Sequence, residues 1–342
     1  MAATIRDVAQ ASGVHPSTVS RALSAPGMVN EVTRGRVLAA AEALGYRPNR
    51  TARALITGRT QNIGLIVADI ANPFFPPLIK AAEHRARVLN HHIFIADTDE
   101  DPVVEEEVVQ TLSQQVDGLL LCSPRMSNAR ITALRNHVPM VVVNRAVPGL
   151  ASVLTDAAGG ARQIVDHLTG LGHRELTYLA GPRGSWTNRE ITRAATARAQ
   201  AAGARLTVLG PNAPSEEGGS AAAEQVLATG ATAVIAYNDL MAIGLMEALT
   251  ALGKEIPDDL SIAGFDDIAV GRRIRPSLTT VASPSDVAGQ AAVDLLLQAD
   301  GPDGRLRLET TLLCRESTSD GPFASARRGQ TQPARRAAGR RR

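Results

Sequence analysis

Aromatic side chains are scarce in this sequence, with five Phe, three Tyr and one Trp among 342 residues, so the place of each one carries information. Cysteine is scarcer still. Cys122 and Cys314 each stand alone in an apolar, strand-like run, and two such residues make neither a disulfide framework nor a metal cluster. Core packing is the expectation for both. His84, His91, His92, His137, His167 and His173 show no sustained metal-ligand spacing, so no metal site is expected either. The first apolar run leads into Ala71-Asn72-Pro73 without a glycine-rich phosphate loop or a dinucleotide fingerprint, which argues against an enzyme and against a bound cofactor. No apolar run approaches the ~18 residues that cross a bilayer, and no early segment reads as an export signal. A soluble, cytoplasmic protein with no membrane partner is the expectation.

Acidic residues are absent from the last stretch of chain. Residues 322–342 carry seven Arg and no acid, and residues 1–60 carry eight Arg against three acids. With a net charge of +2 overall, the middle of the chain is therefore about ten charges negative. Basic ends supply the counterion-release part of nucleic-acid affinity, whereas an acidic centre repels DNA and suits another task. The length also exceeds the roughly 100–200 residues of one domain, so two or three folding units are expected.

Thr4 and Asp7 spell a capping box for a short helix over Ile5 to Ala11, ended by Gly13. His15-Pro16 reads as the N-cap and first position of a second helix that continues from Thr18 to Leu23, because proline costs no hydrogen bond there. A third helix, Thr33 to Leu44, is expected to turn Val37, Leu38 and Ala41 towards Val8, Val14, Val19 and Leu23. From Asn62 the pattern changes to apolar runs that alternate with amphipathic stretches. Ile63–Ala68, Ile93–Ala96, Gly118–Cys122, Met140–Val143, Leu176–Ala180, Leu206–Leu209, Ala233–Tyr237 and Leu260–Phe265 read as buried parallel strands, with helices such as Gly160–Leu171 and Leu240–Leu252 between them. The fold class is thus α/β: a small all-α head, then a doubly wound domain too long for one sheet. Two similar lobes with a ligand between them, at the carboxyl ends of the strands, follow.

The segment TIRDVAQASGVHPSTVSRAL, Thr4 to Leu23, resembles the helix-turn-helix head of the lactose-repressor and galactose-repressor family of bacterial transcription regulators. VNEVTRGRVLAAAEALGYRPNRTARAL, NIGLIVADIANPFF, DTDEDP, VDGLLLCSP, GHRELTYLAGP, YNDLMAIGLM, LSIAGFDD and LTTVASP follow in the family's order, so the resemblance runs from about Thr4 to Thr318. It implies a head over 1–47, a hinge over 48–60, and an effector-binding and dimerisation domain over 61–321. That domain has two periplasmic-binding-protein-like lobes, about 61–156 plus 284–312 and 157–283 plus 313–321, and a basic tail, 322–342, follows it. The expected function is a sequence-specific repressor, dimeric on a palindromic double-stranded DNA operator and controlled by a sugar or related metabolite. Tetrameric members end in a leucine heptad helix, and beyond Gly321 this sequence has no leucine, so a homodimer is expected.

Residue by residue, the resemblance puts Pro16, Ser17 and Arg21 in the base-reading slots of the second helix. The Arg21 fork can donate twice to the O6 and N7 of a guanine, while Pro16 and Ser17 are smaller and less discriminating. Thr4, Ser20 and Thr33 are assigned to phosphates. In the hinge, Asn49 is a candidate N-cap, Arg50 and Arg53 are backbone clamps, and Leu55 stands where paired leucines wedge into the minor groove. For the effector, Phe74, Phe75, Trp186, Tyr237 and Phe265 fall at expected strand ends. The candidate binding set is Asn72, Phe74, Phe75, Arg145, Trp186, Arg189, Asn238 and Asp266.

One departure stands out in GSWTNREITRAAT, Gly184 to Thr196. Ile191 occupies the slot of the family's ligand-clamping arginine, and Ala194 and Ala195 replace a glycine and a large side chain. Three readings stay open: Arg189 or Arg193 takes over, the ligand is less polar than a common sugar, or the ordinary effector response is lost. A secreted solute-binding protein would lack the helix-turn-helix. A nonspecific architectural DNA binder would show no preference for an operator over random DNA.

Overall fold

The computed structural model describes residues 3–24, 26–47, 58–298 and 304–322. They divide into two compact units, Met1–Gln61 and Asn62–Arg342. Among the described residues no helix is long and apolar enough to cross a membrane.

The first unit holds helices α1 (Ile5–Ser12), α2 (Pro16–Ser24) and α3 (Glu31–Ala43). The capping box forms as its residues dictate: Asp7 N–H donates to Thr4 Oγ1, and the Thr4 N–H donates to the Asp7 carboxylate at 2.7 Å. Gly13 closes α1 with φ 63°, a left-handed conformation that costs glycine nothing. The His15 ring nitrogen accepts from the Ser17 N–H at 3.3 Å and so caps α2. Val8, Val19, Ala22, Val37 and Ala41 form the small core, with Val14 and Leu23 packed against it. Leu38 is a correction, since it lies 41% exposed. Asn30 caps α3 and starts the helix at Glu31, and residue 38 turns away from the seam that Val37 and Ala41 share.

The second unit contains two six-stranded sheets. The first comprises β1 (Asn62–Val67), β2 (His92–Asp97), β3 (Gly118–Cys122), β4 (Met140–Val143), β5 (Ala151–Thr155) and β11 (Arg305–Leu308), in the order β11-β5-β4-β3-β1-β2, all parallel. Helices α4 (Phe75–Val88), α5 (Pro102–Leu112), α6 (Asn128–Leu134) and α12 (Ser285–Leu297) belong to this lobe. The second sheet comprises β6 (Glu175–Leu179), β7 (Arg205–Leu209), β8 (Ala233–Ala236), β9 (Ser261–Asp266), β10 (Thr279–Ala282) and β12 (Thr311–Leu313), in the order β12-β10-β9-β8-β6-β7. Its helices are α7 (Ala157–Gly170), α8 (Trp186–Ala201), α9 (Glu216–Ala221), α10 (Ala223–Ala228) and α11 (Asp239–Ala251).

The chain crosses between lobes three times, after β5, after β10 and after β11. Thr311–Leu313 pairs antiparallel with β10, so the last crossing comes just before the division at 312/313 expected from sequence. Two sequence expectations fail for a shared reason. Ile93–Ala96 and Leu206–Leu209 read as buried strands, yet β2 and β7 are the outer strands of their sheets, and Phe94, Ile95 and Val208 are 42%, 46% and 44% exposed. Cys122 is buried in β3 as expected. Cys314 is exposed, with its sulfur 3.5 Å from His167 Nδ1, because the chain leaves the sheet edge at that point.

Candidate DNA-reading face and ligand cleft

On α2, burial of Val19 and Ala22 turns Ser17, Ser20 and Arg21 to the exposed side, with Pro16 half-buried at the start. Ser17 Oγ lies 2.8 Å from His15 Nδ1, which fixes the first turn. Thr4 is exposed and Thr33 half-buried at the starts of α1 and α3. Helix N-termini present free N–H groups and a positive dipole end, which suits phosphate oxygens. The hinge residues Asn49, Arg50, Arg53 and Leu55 lie outside the described residues.

The cleft lies between the lobes of the second unit and encloses about 580 Å³, open solvent at its mouth included. Its walls come from the carboxyl ends of the parallel strands, where a doubly wound sheet leaves a crevice. After β1 the chain turns through Asn72, whose Oδ1 accepts the Phe74 N–H at 3.0 Å. The rings of Phe74 and Phe75 meet edge to face at 5.1 Å and form an apolar wall. Beyond β3 come Ser123 and Arg125, and beyond β4 comes Asn144, whose Oδ1 accepts from Thr155 at 3.0 Å. From the second lobe come Thr187, Ile191, Tyr237, Asn238, Phe265 and Asp266. Tyr237 shares a hydrogen bond with Ser185 at 3.0 Å, and Asn238 caps α11 while its amide donates to the Pro214 carbonyl at 2.9 Å.

Of the expected effector set, Asn72, Phe74, Phe75, Asn238 and Asp266 line the cavity. Arg145, Trp186 and Arg189 do not. The Arg145 guanidinium is buried against the carbonyls of Pro124 and Met126, at 3.0 and 2.6 Å, and the side chain of Asn128, so it braces the loop after β3. Trp186 opens α8 beside the lining, and Arg189 is exposed on the same helix. Arg193 pairs with Glu190 on the surface at 2.7 Å. Neither Arg189 nor Arg193 lines the cavity in place of the arginine missing at Ile191, which is itself fully buried. The guanidinium in the lining belongs to Arg125, in a two-oxygen pair with Glu100. Sequence reasoning missed Glu100, Ser123, Arg125, Asn144, Thr155 and Thr187. Glu100 and Ser123 lie within the DTDEDP and VDGLLLCSP segments and Arg125 directly follows the second, so the strand-end rule was the available signal.

The electrostatics are uneven. Asp266 sits at φ 108°, a strained backbone for any residue but glycine, and burial pushes its carboxyl up to about 7. Its neighbour Asp239 is raised well above the usual carboxylate range by burial and then by Asp266 itself. It is held by Thr280 Oγ1 at 2.6 Å and by the Ile268 N–H at 2.9 Å. Strained backbone and a shifted carboxyl at a cleft make Asp266 a candidate functional residue.

The comparisons agree with this geometry. The model of bacterial regulatory proteins, lacI family, matches residues 4–49, and that of the periplasmic binding protein-like domain matches residues 165–318. The HTH-type transcriptional regulator GalS of Salmonella typhimurium (strain LT2) is 34% identical over 90% of this chain and 92% of its own. The crystal structure of the lac repressor dimer bound to operator and the anti-inducer ONPF matches with a TM-score of 0.83 at 27% identity, covering 93% of this chain and all of that one. A LacI family transcriptional regulator from Enterococcus faecalis V583 with bound ribose matches with a TM-score of 0.70 at 28% identity, over 76% of this chain and 99% of that one. These relatives are regulators of transcription, not enzymes. With the head and the bilobal domain joined in the same order, and a relative at this identity along nearly its whole length, the chain belongs to the LacI family of bacterial regulatory proteins.

Proposed function

We propose that this protein is a cytoplasmic, nucleoid-associated repressor that binds a palindromic operator as a homodimer and responds to a sugar or related metabolite held in the cleft. The observation that carries the reading is the likeness of the whole chain to a repressor dimer solved on its operator. Arg21 reads a guanine, Pro16 and Ser17 read neighbouring bases, and Thr4, Ser20 and Thr33 hold phosphates. On the resemblance alone, Asn49, Arg50 and Arg53 hold the hinge on the DNA backbone and Leu55 enters the minor groove. Carboxylate, amide and hydroxyl groups beside Phe74 and Phe75 suit hydroxyls on a ring with apolar faces, and one relative holds ribose.

Dimerisation is supported by the outer strands. Among the described residues β2 is the outer strand of its sheet, and it exposes Phe94 and Ile95, apolar side chains at an edge that a folded protein normally covers. Binding to a footprinted operator is measured by anisotropy against random DNA at fixed salt, with sedimentation for the mass and sugars added in turn. A clear preference for the operator, a dimeric mass and a sugar-dependent shift are expected. Equal affinity for both DNAs would make the protein a nonspecific binder instead.

A further inference from the structure

The least expected chemistry in the cleft is the pair Glu100–Arg125. A guanidinium has five N–H donors. Arg125 gives Nε–H and one Nη2–H to the two Glu100 oxygens, and one Nη1–H to the Ser123 carbonyl at 2.7 Å, which leaves two donors. Behind it the buried Glu105 carboxylate accepts the main-chain N–H groups of Arg125 at 2.7 Å and Met126 at 2.9 Å, so the loop is clamped as well as the side chain. From the other lobe Asp266 lines the same cavity, with no side-chain hydrogen bond to another described residue.

We propose that the Glu100–Arg125 pair is a charge filter, set in place by Glu105, which makes the cleft take an uncharged polyhydroxy ligand and refuse anionic ones such as sugar phosphates. The proposal rests on the cleft being the effector site. Arg125 comes already neutralised by Glu100, and a second carboxyl group faces the same space. A hydroxyl group both accepts from the free guanidinium donors and donates to the carboxylates. A phosphate or sulfate oxyanion must displace Glu100 from Arg125 and then lie beside the displaced Glu100 carboxylate, a like charge that repels it.

The test is sulfate titration of the full-length protein by calorimetry, at matched ionic strength in chloride, with Trp186 emission as a second readout beside the cavity. Wild type should show no saturable sulfate binding. Glu100→Gln frees the guanidinium and should bind sulfate at least about tenfold more tightly than wild type, and Glu100→Gln combined with Arg125→Met should lose it again. Glu100→Ala serves the same purpose if the Gln variant does not fold. Wild type and the Glu100 variants behaving alike, whether all bind or none does, would overturn the filter. D-ribose against D-ribose 5-phosphate is the second arm, and tighter binding of the phosphate to wild type would overturn it too. If no neutral sugar binds while the sulfate results hold, the sugar reading fails and the filter stands.

Discussion

Thr187 Oγ1 donates a hydrogen bond of 3.3 Å to the main-chain carbonyl of Asn144, and so ties the first turn of α8 in one lobe to the end of β4 in the other. Both residues line the cleft, so the bond couples the separation of the lobes to the space a ligand occupies. Thr187→Val keeps the shape and removes the donor. A neutral hydrogen bond is worth about 0.5–1.5 kcal/mol net, so effector affinity should fall by up to about tenfold. Calorimetry with the effector checks this, and unchanged affinity would mean that the bond plays no part in closure.

Arg21 is exposed on α2, and its planar fork suits a bidentate contact with guanine. Arg21→Ala should weaken operator binding by about 1–3 kcal/mol per half-site and relax preference at one base pair. Competition anisotropy on operators with single substitutions reads both effects. Equal losses on operator and random DNA would reassign Arg21 to the phosphate backbone.

Burial raises the Asp266 carboxyl from 3.8 to about 7. For an acid with a raised folded pKa the stability penalty is absent below the unfolded value, grows as pH rises through the window from 3.8 to about 7, and is constant above it. Asp266→Asn cannot ionise. Its thermal midpoint should therefore match wild type near the low end of that window and exceed it above the high end. A midpoint difference independent of pH would show that the carboxyl ionises normally in the folded protein.

Gly289 lies where α12 crosses α4, and a Cβ at this position would press on the Leu78 carbonyl oxygen and approach the Ala82 nitrogen to 3.1 Å. The obstacle is backbone, which cannot swing away. Gly289→Ala should destabilise the second unit by about 1–3 kcal/mol, the usual cost of overpacking. Urea unfolding followed by circular dichroism measures it; a neutral result would mean that the two helices slide apart freely.

Much of the fold was legible because its signals are local. Thr4 and Asp7, Gly13, and His15 with Pro16 marked the ends of the head helices, since a cap needs only residues within one turn. Central strands such as β3 and β4 were legible as continuous apolar runs because helices cover both faces of the sheet. Strand-end residues Asn72, Phe74, Phe75, Asn238 and Asp266 could be placed at the cleft by the same reasoning.

What the sequence by itself determined, then, was the order of elements, their caps and the crevice to which the strand ends point. The tertiary structure alone decided which strands lie at the edges, since Ile93–Ala96 is as apolar as a central run and its exposure depends on how many neighbours the crossover order gives it. It also decided which arginine serves the cleft. Arg145, Arg189 and Arg193 are alike in sequence chemistry, but the first is spent on loop carbonyls, the second is exposed and the third pairs with Glu190, while Arg125 reaches the cavity because Glu100 and Glu105 hold it there. A guanidinium's role is set by which partners lie within hydrogen-bond reach, and those partners are brought together by residues up to 25 positions away along the chain.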